Sequence, residues 1–127
     1  MENIEINRNL ATPYFPSIKF EVSTGVCEIS GESYMEEAYK FYLPLINWIK
    51  KFAEEEKRKI TLNIKLIYFN TSTSKCLLDI FEILKKYQEA NGAIEVNWYY
   101  DKDDPDMVEE INDFENEAEL SFNIIEF

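Results

Sequence analysis

Four consecutive hydroxyl side chains make the segment Asn70-Thr71-Ser72-Thr73-Ser74-Lys75 the part of the sequence best suited to chemistry. The segment follows an apolar, strand-like run and precedes an amphipathic helical pattern. The carboxyl edge of a parallel sheet is where α/β folds usually carry their functional groups. A helix N-terminus there offers free N–H groups and a partial positive charge. Such a junction suits a hydroxyl that accepts a phosphoryl group, because the helix N-terminus favours the added negative charge.

Two interpretations of this segment stay open from the residues alone. In the first, one hydroxyl is the helix N-cap and the others are solvated turn residues, since Ser and Thr are favoured N-caps. In the second, one hydroxyl is a phosphorylation site, and Lys75 supplies a cation one turn into the helix. A cap needs only one hydroxyl, so the others are surplus. Nucleophilic catalysis is a poor third interpretation, because the chain has no histidine to act as the base.

Composition excludes several classes of function. The chain has 127 residues, a net charge of −12 and no histidine. Nucleic acid and anionic membranes are therefore not expected as partners, because phosphate binding needs a basic face. The missing histidine removes Ser-His-Asp triads and His-ligated metal sites. The three glycines are too far apart for a phosphate-binding loop. A calcium loop beginning at Asp101 would need glycine at its sixth position and glutamate at its twelfth, where Asp106 and Asn112 stand. We therefore expect no enzyme activity, cofactor or metal.

The N-terminus and the cysteines indicate the compartment. The first residues are charged and polar, and no apolar run approaches the length of a membrane span. Cys27 and Cys76 lack the spacing of a redox motif. Two buried free thiols are therefore a simpler interpretation than a disulfide. The sequence thus predicts a cytoplasmic protein.

The hydrophobic pattern predicts one domain over residues 1–127, beginning with an irregular arm over residues 1–16. A hairpin follows, and then a long helix whose predicted capping box is Ser33 with Glu36 and whose Pro44 predicts a kink or a restart. The remaining elements are the strongest strand at 60–69, a second helix, a strand, a short helix and a final strand. The order is β-β-α-β-α-β-α-β, which predicts an α/β domain.

The sheet of this domain is predicted to be mixed, with four to five strands and about three helices packed on it. The uninterrupted apolar run from Leu66 to Phe69 predicts a central strand that is covered on both faces. The aromatic segments Trp98-Tyr99-Tyr100 and Tyr14-Phe15 fit either core packing or a partner-binding surface. These two alternatives stay open.

Several segments together resemble the SiaC family of bacterial regulatory phosphoproteins. The segment from Tyr68 to Lys75 is similar to the signature of that family, and so is Gly31-Glu-Ser-Tyr34 with the helix start that follows it. Trp48 and the segment Asn97-Trp-Tyr-Tyr-Asp101 add to the likeness, which extends from about residue 12 to the end.

The resemblance implies a fold similar to the STAS domains of anti-sigma-factor antagonists. It also implies that Thr71 is the phosphoacceptor, with Ser72 and Thr73 as competing candidates. The expected partners are a kinase resembling anti-sigma-factor ATPases, a PP2C-type phosphatase and an effector such as a diguanylate cyclase, which the unmodified form activates. The predicted function is a non-enzymatic phospho-switch adaptor in cyclic-di-GMP signalling. The alternatives are an anti-sigma-factor antagonist, a small carboxylate-based enzyme and a purely structural subunit.

Overall fold

The structure is a computed structural model that describes residues 1–9 and 12–127. Six strands and three helices lie in these residues. In chain order they are β1 (Ile4–Ile6), β2 (Ser17–Phe20), β3 (Val26–Ser33), α1 (Ala38–Glu55), β4 (Ile60–Phe69), α2 (Thr71–Glu89), β5 (Ile94–Tyr100), α3 (Met107–Ala118) and β6 (Asn123–Glu126). Within the described part, no helix is long and apolar enough to cross a membrane.

The strands form one sheet whose spatial order is the same as their order in the chain. The first two neighbouring pairs, β1–β2 and β2–β3, are antiparallel. The next three pairs, from β3 to β6, are parallel and are connected by the helices. Right-handed crossovers that all step in one direction bring their helices to the same face of the sheet. The carboxyl ends of the parallel strands and the N-termini of the helices therefore lie at one edge.

The burial pattern of β4 agrees with a sheet that is covered mainly on one face. Alternate residues point to the helices and are buried, and these are Ile60, Leu62, Ile64 and Leu66. Near the end of the strand, Ile67 and Tyr68 are half exposed. The predicted cover on both faces is therefore wrong for this end, because all the crossover helices pack on the other side.

The N-terminal segment is more regular than the sequence predicts. The expected irregular arm over residues 1–16 contains β1, which pairs with β2 through Ile4 opposite Phe20 and Ile6 opposite Ile18. In the described residues the sheet therefore has six strands, and the predicted number of four to five is wrong. Residues 10 and 11 of the predicted arm lie outside the described residues. The predicted α/β class and the order of the other eight elements are confirmed.

The start of α1 also differs from the prediction. Ser33 lies at the end of β3 and is buried, and the helix begins only at Ala38. The expected capping box is wrong, because the helix N-cap is Glu37 and its side chain makes no capping hydrogen bond. The helix continues through Pro44 without a restart. The apolar stripe of α1 is buried both before and after Pro44. This burial compensates for the one backbone hydrogen bond that Pro44 cannot make.

Candidate functional site

The predicted junction lies at the carboxyl edge of the sheet, where β4 ends and α2 begins. Asn70 is the single residue between them and is the N-cap of α2. Its side-chain oxygen accepts a hydrogen bond from the backbone N–H of Thr73 at 2.9 Å. Its side-chain amide donates to the backbone carbonyl of Met35 at 3.0 Å. Asn70 therefore fixes the first turn of α2 and ties that turn to the segment before α1.

The four hydroxyls of the predicted site have different environments. Thr71 is the first residue of α2, and its side chain is exposed. Within the described residues its hydroxyl has no hydrogen-bond partner. The hydroxyl of Ser72 accepts a hydrogen bond from the backbone N–H of Ala38 at 3.1 Å, and that of Ser74 donates to the carbonyl of Asn70 at 3.2 Å. Thr71 alone therefore presents an unbonded hydroxyl to solvent.

Thr73 differs most from Thr71, because it is fully buried. Its hydroxyl lies 2.9 Å from the carbonyl of Ser33 and 2.7 Å from the Ser33 hydroxyl. The Ser33 hydroxyl is in turn 2.9 Å from the phenol of Tyr42, which is buried in α1. Burial raises the pKa of Tyr42 well above its usual range, which the hydrogen bond to Ser33 opposes in part. The phenol therefore stays protonated, and the three hydroxyls form a neutral buried cluster.

Two helix N-termini meet at this junction. The Ser72 contact to Ala38 brings the first turn of α2 against the first turn of α1. The first turn of α2 contains no acidic residue, and Lys75 is exposed one turn into the helix. The acidic N-cap of α1, Glu37, is paired with Lys40 at 2.8 Å. The junction thus offers backbone N–H groups and the exposed cation of Lys75 in a chain whose overall charge is strongly negative.

A row of three tyrosines lies at the same edge of the sheet. The rings of Tyr14 and Tyr34 are perpendicular with centroids 5.0 Å apart, and those of Tyr34 and Tyr68 are 5.3 Å apart. Tyr14 is 52% exposed and Tyr68 is 50% exposed. Rigid, half-exposed tyrosines are frequent at the centres of protein interfaces. Tyr14 therefore lies on the surface and is not part of the core.

A bulge in β4 exposes the end of that strand. Leu66 pairs with Gly31 and Tyr68 pairs with Glu32, so Ile67 has no partner in β3. Gly31 has a φ of +96°, a backbone conformation that glycine adopts more readily than other residues. The extra residue turns Tyr68 towards Tyr34, and bulges commonly redirect side chains beside functional sites. Gly31 lies inside β3, and a glycine within a strand is the kind of sequence signal that accompanies a bulge.

Trp98 of the other aromatic segment belongs to the core, whereas Tyr99 and Tyr100 are half-buried. Trp98 is fully buried, and its ring lies 5.1 Å from that of Phe114 and 5.9 Å from that of Phe69. Phe15, next to Tyr14, stacks on Phe41 at 5.3 Å. Core packing therefore explains Trp98 and Phe15 without a partner.

The groove between the first two helices lies away from the junction. A groove of about 190 Å³ lies between α1 and α2, and its lining residues include none of residues 70–75. In the described residues no group of His, Cys, Asp or Glu is arranged to hold a metal ion. The arrangement can present one hydroxyl and an aromatic surface to another protein.

The match to a known family decides the classification of the chain. Residues 10–127 match the SiaC family of regulatory phosphoproteins. This protein belongs to that family. The resemblance inferred from the sequence is therefore confirmed, and the protein is a regulatory phosphoprotein rather than an enzyme.

Solved relatives support the same classification through the fold. The crystal structure of apo-SiaC from Pseudomonas aeruginosa has a TM-score of 0.90 and 26% identity, covering 98% of this chain and 99% of that one. SiaC of the same organism, in complex with the diguanylate cyclase SiaD that it activates, has a TM-score of 0.90 and 25% identity, with the same coverage. An uncharacterized protein of Pseudomonas aeruginosa strain UCBPP-PA14 is 27% identical over 109 residues, which is 86% of each chain.

Proposed function

We propose that this protein is a phospho-switch adaptor in which reversible phosphorylation of Thr71 controls binding to an effector protein. The observation that carries the proposal is the isolation of the Thr71 hydroxyl, which is exposed and unbonded while its neighbours are engaged. Membership of a family of regulatory phosphoproteins supports this assignment. Burial argues against Thr73 as a competing acceptor, and the capping contact to α1 argues against Ser72.

The proposed modification is compatible with an intact fold. In the transfer, the Thr71 hydroxyl oxygen bonds to the γ-phosphorus of ATP, the bond to ADP breaks, and the hydroxyl proton passes to a base of the kinase. The product dianion lies at the first position of α2, where a negative charge is favoured by about 0.3–1 kcal/mol. Lys75 adds a nearby cation. The phosphate therefore changes the surface rather than the folded state.

The proposed effector is a diguanylate cyclase, which the unmodified form binds and activates. The proposal rests on SiaC of Pseudomonas aeruginosa, which is the activator of such an enzyme in a complex of known structure. The tyrosine row, Tyr14, Tyr34 and Tyr68, is the surface proposed to anchor the effector beside Thr71. A dianion placed there would oppose binding through its desolvation cost and its repulsion of acidic groups.

The proposed regulators are a kinase resembling anti-sigma-factor ATPases and a PP2C-type phosphatase that removes the phosphate by hydrolysis. The kinase would bring ATP and magnesium, so this chain needs no cofactor. Both cysteines are free and buried thiols, which supports a reducing cytoplasm as the proposed compartment.

The test of this function is the location of phosphate in protein purified from its own host. Intact-mass and peptide mass spectrometry should find one phosphate, on Thr71. In pull-downs from the same host, Thr71→Ala should retain a diguanylate cyclase and Thr71→Glu should lose most of it. Ser121→Glu is the matched control, because it adds the same charge at an exposed hydroxyl outside the site. Equal capture of the cyclase by all variants would contradict the switch.

The same pull-down separates the alternative outputs. Capture of an anti-sigma factor in place of a cyclase would indicate the antagonist role. Phosphate on Thr71 without a change in any bound protein would contradict an adaptor function altogether.

A further inference from the structure

The buried hydroxyls of Tyr42, Ser33 and Thr73 form a hydrogen-bonded chain with one direction. The Thr73 hydroxyl donates to the carbonyl of Ser33 at 2.9 Å. Because a hydroxyl has one proton, Thr73 must accept in its 2.7 Å contact with the Ser33 hydroxyl. Ser33 then donates to Thr73, so it accepts from the phenol of Tyr42 at 2.9 Å. Ser33 and Thr73 thus each have one donor and one acceptor partner, and Tyr42 is the donor at the start of the chain.

This hydroxyl chain connects three elements that surround the acceptor turn. Tyr42 lies in α1, Ser33 ends β3, and Thr73 is in the first turn of α2. The carbonyl of Ser33 also accepts a hydrogen bond from the backbone N–H of Asn70 at 3.2 Å. Asn70 and Thr73, on the two sides of Thr71, are therefore held by the same buried serine, while the Thr71 hydroxyl has no hydrogen-bond partner in the described residues.

We propose that Tyr42, Ser33 and Thr73 are positioning residues for the modification of Thr71. This inference rests on the proposed function. The hydroxyl chain holds the first turn of α2 in the one orientation in which Thr71 faces outward and Ser72 and Thr73 face inward. It thereby determines both the rate at which Thr71 is phosphorylated and the restriction of the phosphate to that residue.

The physical reason is the precision that phosphoryl transfer needs. The attacking oxygen must lie about 3–3.5 Å from the phosphorus and in line with the leaving group, and a 1 Å displacement can reduce a rate by about 100-fold. Loss of one buried hydroxyl leaves its neighbours without a partner, and the first turn of α2 can then shift towards other orientations. We therefore expect at least a tenfold slower modification of Thr71.

The test compares variants that differ by a hydroxyl while the side-chain shape is nearly constant. Thr73→Val removes the hydroxyl, Thr73→Ser restores one, and Tyr42→Phe breaks the chain from the side of α1. Ser74→Ala is the matched control, because the Ser74 hydroxyl bonds only to Asn70 in the same turn. Each full-length variant is incubated with ATP, magnesium and a clarified extract of the host, and peptide mass spectrometry follows phosphate on each residue from 71 to 74.

The inference expects that Thr73→Val and Tyr42→Phe slow the modification of Thr71 at least tenfold or spread phosphate to Ser72. Thr73→Ser and Ser74→Ala should stay within about twofold of the parent protein. Circular dichroism and thermal melting identify any variant that is unfolded, and the milder Tyr42→Phe keeps the test decisive if Thr73→Val does not fold.

The outcomes that contradict the inference differ from those that contradict the proposed function. Phosphate on Thr71 at the parental rate in folded Thr73→Val and Tyr42→Phe would overturn the positioning role alone. An equal loss in Thr73→Val and Thr73→Ser would overturn it as well, because side-chain volume would then matter rather than the hydroxyl. Absence of phosphate from Thr71 of the parent protein would overturn the function and, with it, the inference.

Discussion

Asn70 and Thr71 are neighbours with opposite structural roles, and substitution of each to alanine should separate those roles. Asn70→Ala removes the N-cap contact to Thr73 and the amide contact to the carbonyl of Met35. An N-cap contributes about 1 kcal/mol, and a carbonyl that loses its donor costs about 1 kcal/mol. The free energy of unfolding should therefore fall by about 2 kcal/mol.

Urea denaturation followed by tryptophan fluorescence measures this loss. For a chain of this length the dependence of unfolding free energy on urea is about 2 kcal/mol per molar, so the midpoint of Asn70→Ala should fall by about 1 M. Asn70→Asp keeps an acceptor for the N–H of Thr73 and loses the amide donor, so its midpoint should fall by about half as much. Thr71→Ala removes a hydroxyl without a partner, and its midpoint should stay within about 0.3 M of the parent.

The contrast between the two positions is the decisive result. A midpoint for Asn70→Ala within about 0.3 M of the parent would show that the cap and the Met35 contact do not stabilise the junction. A loss in Thr71→Ala as large as that in Asn70→Ala would show that the Thr71 hydroxyl is a structural group. Either result would refute the separation of roles on which the proposed switch rests.

Three further predictions concern other parts of the molecule. Gly25→Ala should destabilise the fold by more than about 1 kcal/mol in urea denaturation, because Gly25 has a φ of +70° and a Cβ there would collide with the backbone carbonyl of Lys59; Gly31→Ala shares a positive φ but meets only the Arg8 side chain at 3.7 Å, so a loss as large there would contradict the role of the collision. Hydrogen bonds from Lys59 and Asn97, followed by the charge of Lys59, lower the pKa of Glu95, so the stabilisation from this carboxylate is present above the usual glutamate pKa of about 4.3 and is lost as the pH falls through the lowered value; NMR titration should show the Glu95 midpoint rising in Lys59→Met, and an unchanged midpoint would argue against the contact. Burial raises the pKa of Cys76 to about 11 and that of Cys27 further, so a thiol reagent at pH 8 should react slowly with the native protein and rapidly with both thiols in denaturant, whereas rapid reaction of the native protein would show that the thiols are accessible.

The elements that the sequence predicts best are those whose pattern is long. The alternation over residues 60–69 matches the bounds of β4, and the apolar spacing after Asn70 predicts α2. The strand β1 was missed because three residues carry too little pattern, and its pairing with β2 is a tertiary contact. The capping box at Ser33 was predicted from local spacing alone. It does not form because the Ser33 hydroxyl bonds to Thr73, which is 40 residues away in the sequence.

The candidate site was predictable in part. The residues indicate a hydroxyl-rich junction at 70–75, and the family resemblance implies Thr71 as the acceptor, a role that stays a prediction. A signal for the burial of Thr73 was also available, because Thr73 continues the apolar stripe of Leu77, Ile80 and Leu84 at helical spacing. The hydroxyl chain through Tyr42 was not predictable, because it depends on how α1 and β3 approach each other.

The unbonded hydroxyl of Thr71 has a consequence for the speed of the proposed response. A hydroxyl without a hydrogen-bond partner in the described residues has no such bond to break when it is modified, so no segment has to detach or refold between the two states. The delay after a change in kinase activity would then be set by enzyme turnover and by how quickly the bound effector dissociates. A switch of this kind reports the current balance of its two regulators and stores no conformational memory of the earlier one.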